Sequence, residues 1–198
     1  MVDWKNDNTP ARRLGAVAVA VLLILAGFAA LLIYTGAYNI AADAPHLAPV
    51  YSLLNAVRQR SIAVRAAGIA VPVDLGDAKR IAAGAGLYNE MCSGCHLGPG
   101  LERSEISQGL YPRAPELARG LAATPAEEFW AIKHGIKMTG MAAWGPTHND
   151  TLIWDMVAFL QKLPGMTAAQ YQQTVKSAPQ DHDEMMKDMK MDGSTDHH

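Results

Sequence analysis

The chain is poor in cysteine, in net charge and in any strand-like alternation. Only two cysteines occur in 198 residues, Cys92 and Cys95. If both carry another group, no structural disulfide is available, and a cysteine-rich zinc site lacks its remaining ligands. A formal net charge of −2 leaves no whole-chain footprint of nucleic-acid binding. No run alternates apolar and polar residues with a period of two, so the soluble part reads as all-α with substantial loops. Charge is missing altogether from one long stretch, residues 14–34.

That stretch reads LGAVAVAVLLILAGFAALLIY. As a helix it spans about 30 Å, enough to cross a hydrocarbon core. Lys5, Arg12 and Arg13 precede it, which by the positive-inside rule keeps residues 1–13 cytoplasmic and sends everything after Tyr34 outward. Tyr34 and Tyr38 suit an aromatic belt at the outer interface. Ala42-Asp43-Ala44 resembles a signal-peptidase site. However, the apolar run exceeds a signal peptide's core of about 7–15 residues, and the candidate cut lies far beyond its end. The expectation is a retained single-pass anchor in a bacterial inner membrane, with the remainder facing the periplasm. Small residues such as Ala16, Ala20, Gly27 and Ala30 also suit helix packing within the bilayer.

Both cysteines fall in Cys92-Ser93-Gly94-Cys95-His96. This spacing is the attachment signature of a c-type haem. Each thiolate adds to one vinyl group, so the sulfurs must sit about one helical turn apart, and the next residue, His96, offers a nitrogen to the iron. A bare C-x-x-C also suits a redox disulfide or half a zinc site; the adjoining histidine and the lack of further cysteine argue against both. One covalently bound haem c is therefore expected, held by Cys92 and Cys95 with His96 as an axial ligand. A domain of about 90 residues is small for a self-sufficient core, so the macrocycle would also stabilise it.

Local signals place the rest. Residues 46–68 show a helical rhythm at Val50, Leu53, Leu54 and Val57, with Arg58, Arg60 and Arg65 adding basic character. This is expected as part of a periplasmic stem, 35–75, serving as a plain stalk or as a docking element. Val71-Pro72-Val73 ends that pattern. Asp77 caps a helix expected to run to about Met91, with Gly84, Tyr88 and Cys92 on one face. Residues 96–120, rich in glycine and proline, read as loop. A proline carbonyl there would accept the second ring N–H of His96, with Pro115 preferred over Pro99 and Pro112. Thr124-Pro125-Ala126-Glu127 is a capping box opening a helix to about Gly135. Asn149 or Asp150 caps another to about Leu163, and Thr167 with Gln170 opens a last short one.

The iron needs a second ligand or an open position. The loop 137–149 holds Met138, Met141 and His148. Met141 is preferred because Gly140 permits close backbone approach and Ala142 and Ala143 are small. Met138 is the rival. His148 and His134 suit solvent or helix-end roles better, and Met91 and Met156 suit the core. A thioether favours reduced iron, and two protein ligands close the metal to small molecules, so the expected role is electron transfer rather than catalysis. Arg113, Tyr111 and Trp144 are candidate partners of the haem propionates.

Three stretches together resemble a class I c-type cytochrome. They are Gly84-x-x-x-Tyr88-x-x-x-Cys92-x-x-Cys95-His96, then Tyr111-Pro112-Arg113-Ala114-Pro115-Glu116-Leu117, and His134-Gly135-Ile136-Lys137-Met138-Thr139-Gly140-Met141-Ala142-Ala143-Trp144. The closing helix around Trp154 fits as well. The resemblance is greatest to haem domains of membrane-anchored cytochromes and of C-type haem–copper oxidase cytochrome subunits, and covers about residues 76–165. It implies a cytochrome c-like domain behind one transmembrane helix, first and last helices crossing near Gly84 and Trp154, and Met141 as axial ligand. Ala142 stands where many relatives have proline, which would loosen the methionine loop.

The implied partners are the membrane and redox proteins of a respiratory chain: a quinol-oxidising complex or dehydrogenase as donor, a terminal oxidase or reductase as acceptor. Alternatives are a fixed subunit of a larger oxidoreductase, a haem sensor, or a copper-handling protein. The last rests on residues 166–198, which open with the short helix and then crowd Asp, Glu, Met and His after Ser177. Such a tail reads as solvated and disordered, while its thioethers and imidazoles also suit copper.

Overall fold

The computed structural model describes residues 9–178. Among them there is helix and loop but no strand, and the chain divides into two compact units, Met1–Ala44 and Pro45 onward. The acidic tail beyond residue 178, on which the copper reading rests, lies outside the described residues.

The first unit is one helix, α1 (Thr9–Thr35). Pro10–Thr35 has a mean hydropathy of 3.0, long and apolar enough to cross a membrane. Its apolar side chains Leu23, Ile24 and Ile33 are exposed. Gly36, at φ 62°, ends it in the left-handed region that favours glycine.

The second unit begins with α2 (Ala48–Ala66), α3 (Ala78–Leu87) and, after one wide π-turn (Tyr88–Cys92), α4 (Ser93–His96). Asp77 caps α3 as its sequence predicts, accepting from the Lys79 N–H at 2.7 Å. The helical path does not stop near Met91 but continues to His96. In the π-turn the Ser93 N–H bonds the Tyr88 carbonyl instead of that of Asn89. The Ser93 hydroxyl then donates to the freed Asn89 carbonyl at 2.6 Å, so the wide turn leaves no orphan.

The expected loop 96–120 contains a short helix, α5 (Glu105–Gly109), and a 3-10 turn (Leu117–Arg119). Ser104 caps α5, accepting from the Ser107 N–H at 3.0 Å, a local signal hidden among glycines and prolines. Then come α6 (Pro125–His134), α7 (Asp150–Leu160) and α8 (Ala168–Lys176). Thr124 and Thr167 form the expected capping boxes, and Asn149 rather than Asp150 caps α7.

The core forms where α3 crosses α7, with Phe159, Tyr88 and Tyr171 clustered at one end of the contact. Close approach needs Gly84, which lies against Asp155 and Phe159. Next to this crossing, as expected, Trp154 is found, stacked on Phe129 with ring centroids 4.3 Å apart. Arg80 spans Asp74 at 2.9 Å and the buried Asp155 at 2.7 Å, supplying the counter-charge that a buried carboxylate requires. The stem segment's helix does not stand apart: α2 lies against α6 within this unit.

Candidate functional site

One cleft gathers the residues singled out from sequence. Met91, Cys92, Cys95 and His96 line it together with Ile136, Gly140, Met141 and Trp144. Leu110, Pro112, Ile132 and Leu160 make the remainder predominantly apolar. The two thiols are not joined in a disulfide. Burial, with a smaller contribution from Cys95, pushes the Cys92 thiol up to about 12. A thiol so disposed is the reverse of the low-pKa nucleophile of a dithiol oxidoreductase. Among the described residues no three His, Cys, Asp or Glu side chains gather as a metal cluster.

His96 is oriented by its neighbour. Its Nδ1 lies 2.9 Å from the Pro115 carbonyl oxygen. A carbonyl only accepts, so Nδ1 carries the proton and Nε2 keeps its lone pair. Burial lowers the ring's pKa, the Pro115 bond opposing this, and so favours the neutral ring. Of the three candidate prolines, Pro115 is the one engaged. At the same turn Leu97 is held at φ 62°, and its carbonyl accepts from the Tyr88 hydroxyl at 2.5 Å.

The methionine loop is tied down by its own hydrogen bonds. The Thr139 hydroxyl donates to the Ile136 carbonyl at 2.7 Å and accepts from the Met141 N–H at 3.1 Å. The Met141 carbonyl accepts from the Ile136 N–H at 3.1 Å, and Trp144 and Gly145 bond back to Ile132 and Lys133 of α6. Gly135, at φ 64°, leaves space that a Cβ would deny, 2.7 Å from the Ala143 nitrogen. Gly140 lines the cleft, and a Cβ there would strike the Leu110 side chain at 2.4 Å. Met141 is half-buried beside the core and lines the cleft. Met138 is 74% exposed and lines a neighbouring cavity instead.

Residues 79–160 match the family model described as cytochrome C oxidase, cbb3-type, subunit III. Comparison with curated proteins and with solved structures gives no match. The chain carries a class I c-type cytochrome domain.

This cytochrome domain implies haem and single-electron transfer. The donors that line its cleft fit such a group: apolar walls, a thiol pair, an imidazole lone pair and a thioether. Of the three candidate propionate partners, Arg113 and Trp144 line the cleft, and the Tyr111 hydroxyl accepts from the His46 N–H at 2.9 Å. His148 is buried, its Nδ1 2.9 Å from the Thr147 hydroxyl, rather than exposed; His134 sits against Trp130. Met156 is core as expected, while Met91 reaches the cleft.

Two residues that line the cleft were not assigned to it from sequence. Glu128 of α6 is raised to about 7 by burial, against the lowering effect of the bond it accepts from Gln161 Nε2 at 2.5 Å. Arg58 of α2 lies outside the matched segment. Its sequence signal was the basic character that it shares with Arg60 and Arg65 on α2.

Proposed function

We propose that this chain is a membrane-anchored monohaem c-type cytochrome that carries single electrons between respiratory partners on the periplasmic side of a bacterial inner membrane. The observation that carries this reading is the shared cleft. Cys92, Cys95 and a His96 ring turned by Pro115 line it together with Met141. When bound, haem supplies an iron that exchanges one electron between its ferric and ferrous states.

The chain's residues do the rest. Cys92 and Cys95 tether the group through two thioethers, and His96 presents Nε2 to the metal while Pro115 fixes the ring plane. Met141 presents a soft sulfur that favours the ferrous state and raises the potential. With both axial positions filled from the protein, the site moves electrons and leaves small molecules unbound. The apolar walls exclude water and limit reorganisation when the charge changes. Residues 14–34 supply the anchor, with Arg12 and Arg13 on the cytoplasmic side. Confinement to the membrane raises the effective concentration near a quinol-oxidising complex, dehydrogenase, terminal oxidase or reductase.

A fixed subunit of a larger oxidoreductase is the second reading. The family description, an oxidase subunit, and the uncovered apolar surface of α1 favour it. Gentle solubilisation followed by size analysis separates the two: a carrier elutes alone, a subunit with its partners. The haem role is tested by the optical spectrum. A protein with His96 and Met141 bound gives a low-spin reduced spectrum that carbon monoxide leaves unchanged. Immediate carbon monoxide binding contradicts the closed site and favours a sensor.

A further inference from the structure

Arg58 stands where two cavities meet. One is the cleft just described. The other, about 500 Å³, lies between α2 and the segment from α6 to Thr139; Arg58, Pro112, Ile136 and Thr139 line both. The lining of the second includes Arg58, Arg65 and Lys137 and no carboxylate. None of these three cations forms an ion pair with a described residue. Arg58 donates to the Asn55 side-chain oxygen, and Arg65 to the Ser61 carbonyl and hydroxyl, all neutral acceptors. In the cleft itself Arg58 and Arg113 are the only arginine or lysine side chains, and the one carboxylate, Glu128, is already bonded to Gln161.

A haem brings two propionate carboxylates. An apolar cleft makes an unpaired carboxylate costly, and a guanidinium, planar and always charged, is the side chain best matched to it. Arg58 is half-buried and its guanidinium is held by Asn55 one turn earlier, so it is partly ordered in advance. We propose that Arg58 pairs with a propionate carboxylate of the bound haem. Helix α2, which precedes the matched cytochrome segment, is then a working part of the haem site rather than a stalk. The inference rests on the haem reading above. Its consequence is electrostatic and structural. A cation beside the group favours the reduced state, and the pairing fastens α2 to the domain through the cofactor itself.

The test uses the full-length holoprotein and its Arg58→Gln, Arg58→Lys and Arg60→Gln variants, Arg60 being exposed on the same helix. Redox titration is combined with amide hydrogen exchange over residues 48–66. Arg58→Gln is expected to titrate at lower potential than wild type and to exchange faster in α2. Arg58→Lys should recover most of the potential, and Arg60→Gln should match wild type. If Arg58→Gln does not accumulate, Arg58→Met, which keeps the apolar stem, carries the same expectation. An Arg58→Gln or Arg58→Met potential equal to that of Arg60→Gln overturns the pairing while leaving haem attachment intact. A wild-type protein without added haem mass overturns the pairing and the underlying reading together.

Discussion

Gly84 and Asp155 meet backbone to backbone: a Cβ on Gly84 would lie 1.9 Å from the Asp155 carbonyl oxygen and 3.0 Å from the Phe159 Cβ. That contact lets α3 and α7 cross, and the crossing sets the position of the Tyr88–Cys92 turn that presents the first cysteine. Neither neighbour is a flexible tip that could swing aside. Gly84→Ala must therefore separate the two helices, and overpacking of this kind costs about 3 kcal/mol. Denaturant unfolding of the holoprotein should show a loss of that size, whereas Gly94→Ala, which meets nothing within 4 Å, should show a far smaller one.

Met141 and Met138 lie three residues apart but in different surroundings. Met141 lines the cleft and Met138 is exposed. Met141→Ala should abolish the long-wavelength ferric band of a thioether ligand, lower the potential and permit carbon monoxide binding. Met138→Ala should leave all three as in wild type. Spectra showing the reverse pattern would transfer the ligand role to Met138.

Glu128 gives a pH dependence with a definite sign. Its unfolded carboxyl titrates near 4.5 and its folded one near 7, raised chiefly by burial. Between those values the folded state holds more protons, so this group's contribution to stability falls as pH rises and levels off above about pH 7. Each tenfold change in proton affinity is worth about 1.4 kcal/mol, and partial exposure to solvent holds the whole effect to about 2 kcal/mol. Glu128→Gln should remove this slope and stabilise the protein at pH 8. Parallel stability profiles for the two proteins would rule the titration out.

The anchor reading predicts behaviour in membranes. The chain should stay in the pellet after an alkaline wash that strips peripheral proteins, and protease added to intact spheroplasts should digest the haem domain. Release by the wash would indicate that α1 does not span the bilayer.

The capping residues were legible because caps are local. Asp77, Thr124, Asn149 and Thr167 each bond an amide within three positions, and the sequence displays both partners. The Cys92-Ser93-Gly94-Cys95-His96 motif was legible for the same reason, since all of it lies within five positions. Other features depend on distant partners. The π-turn at Tyr88 follows no residue pattern that periodicity detects. The choice between Met138 and Met141 depends on how the loop is tied back to α6. Arg58 reaches the cleft only because α2 lies on α6, and nothing within residues 48–66 reveals that neighbour.

The central claim is a single haem joined to Cys92 and Cys95. Its most direct test is intact-mass spectrometry of the denatured chain, made in a host that matures c-type cytochromes, beside the Cys92→Ser/Cys95→Ser double variant. The wild-type chain is expected to carry the added mass of one haem, surviving denaturation, and the double variant to carry none. A denatured wild-type chain with the mass of the bare polypeptide would contradict it.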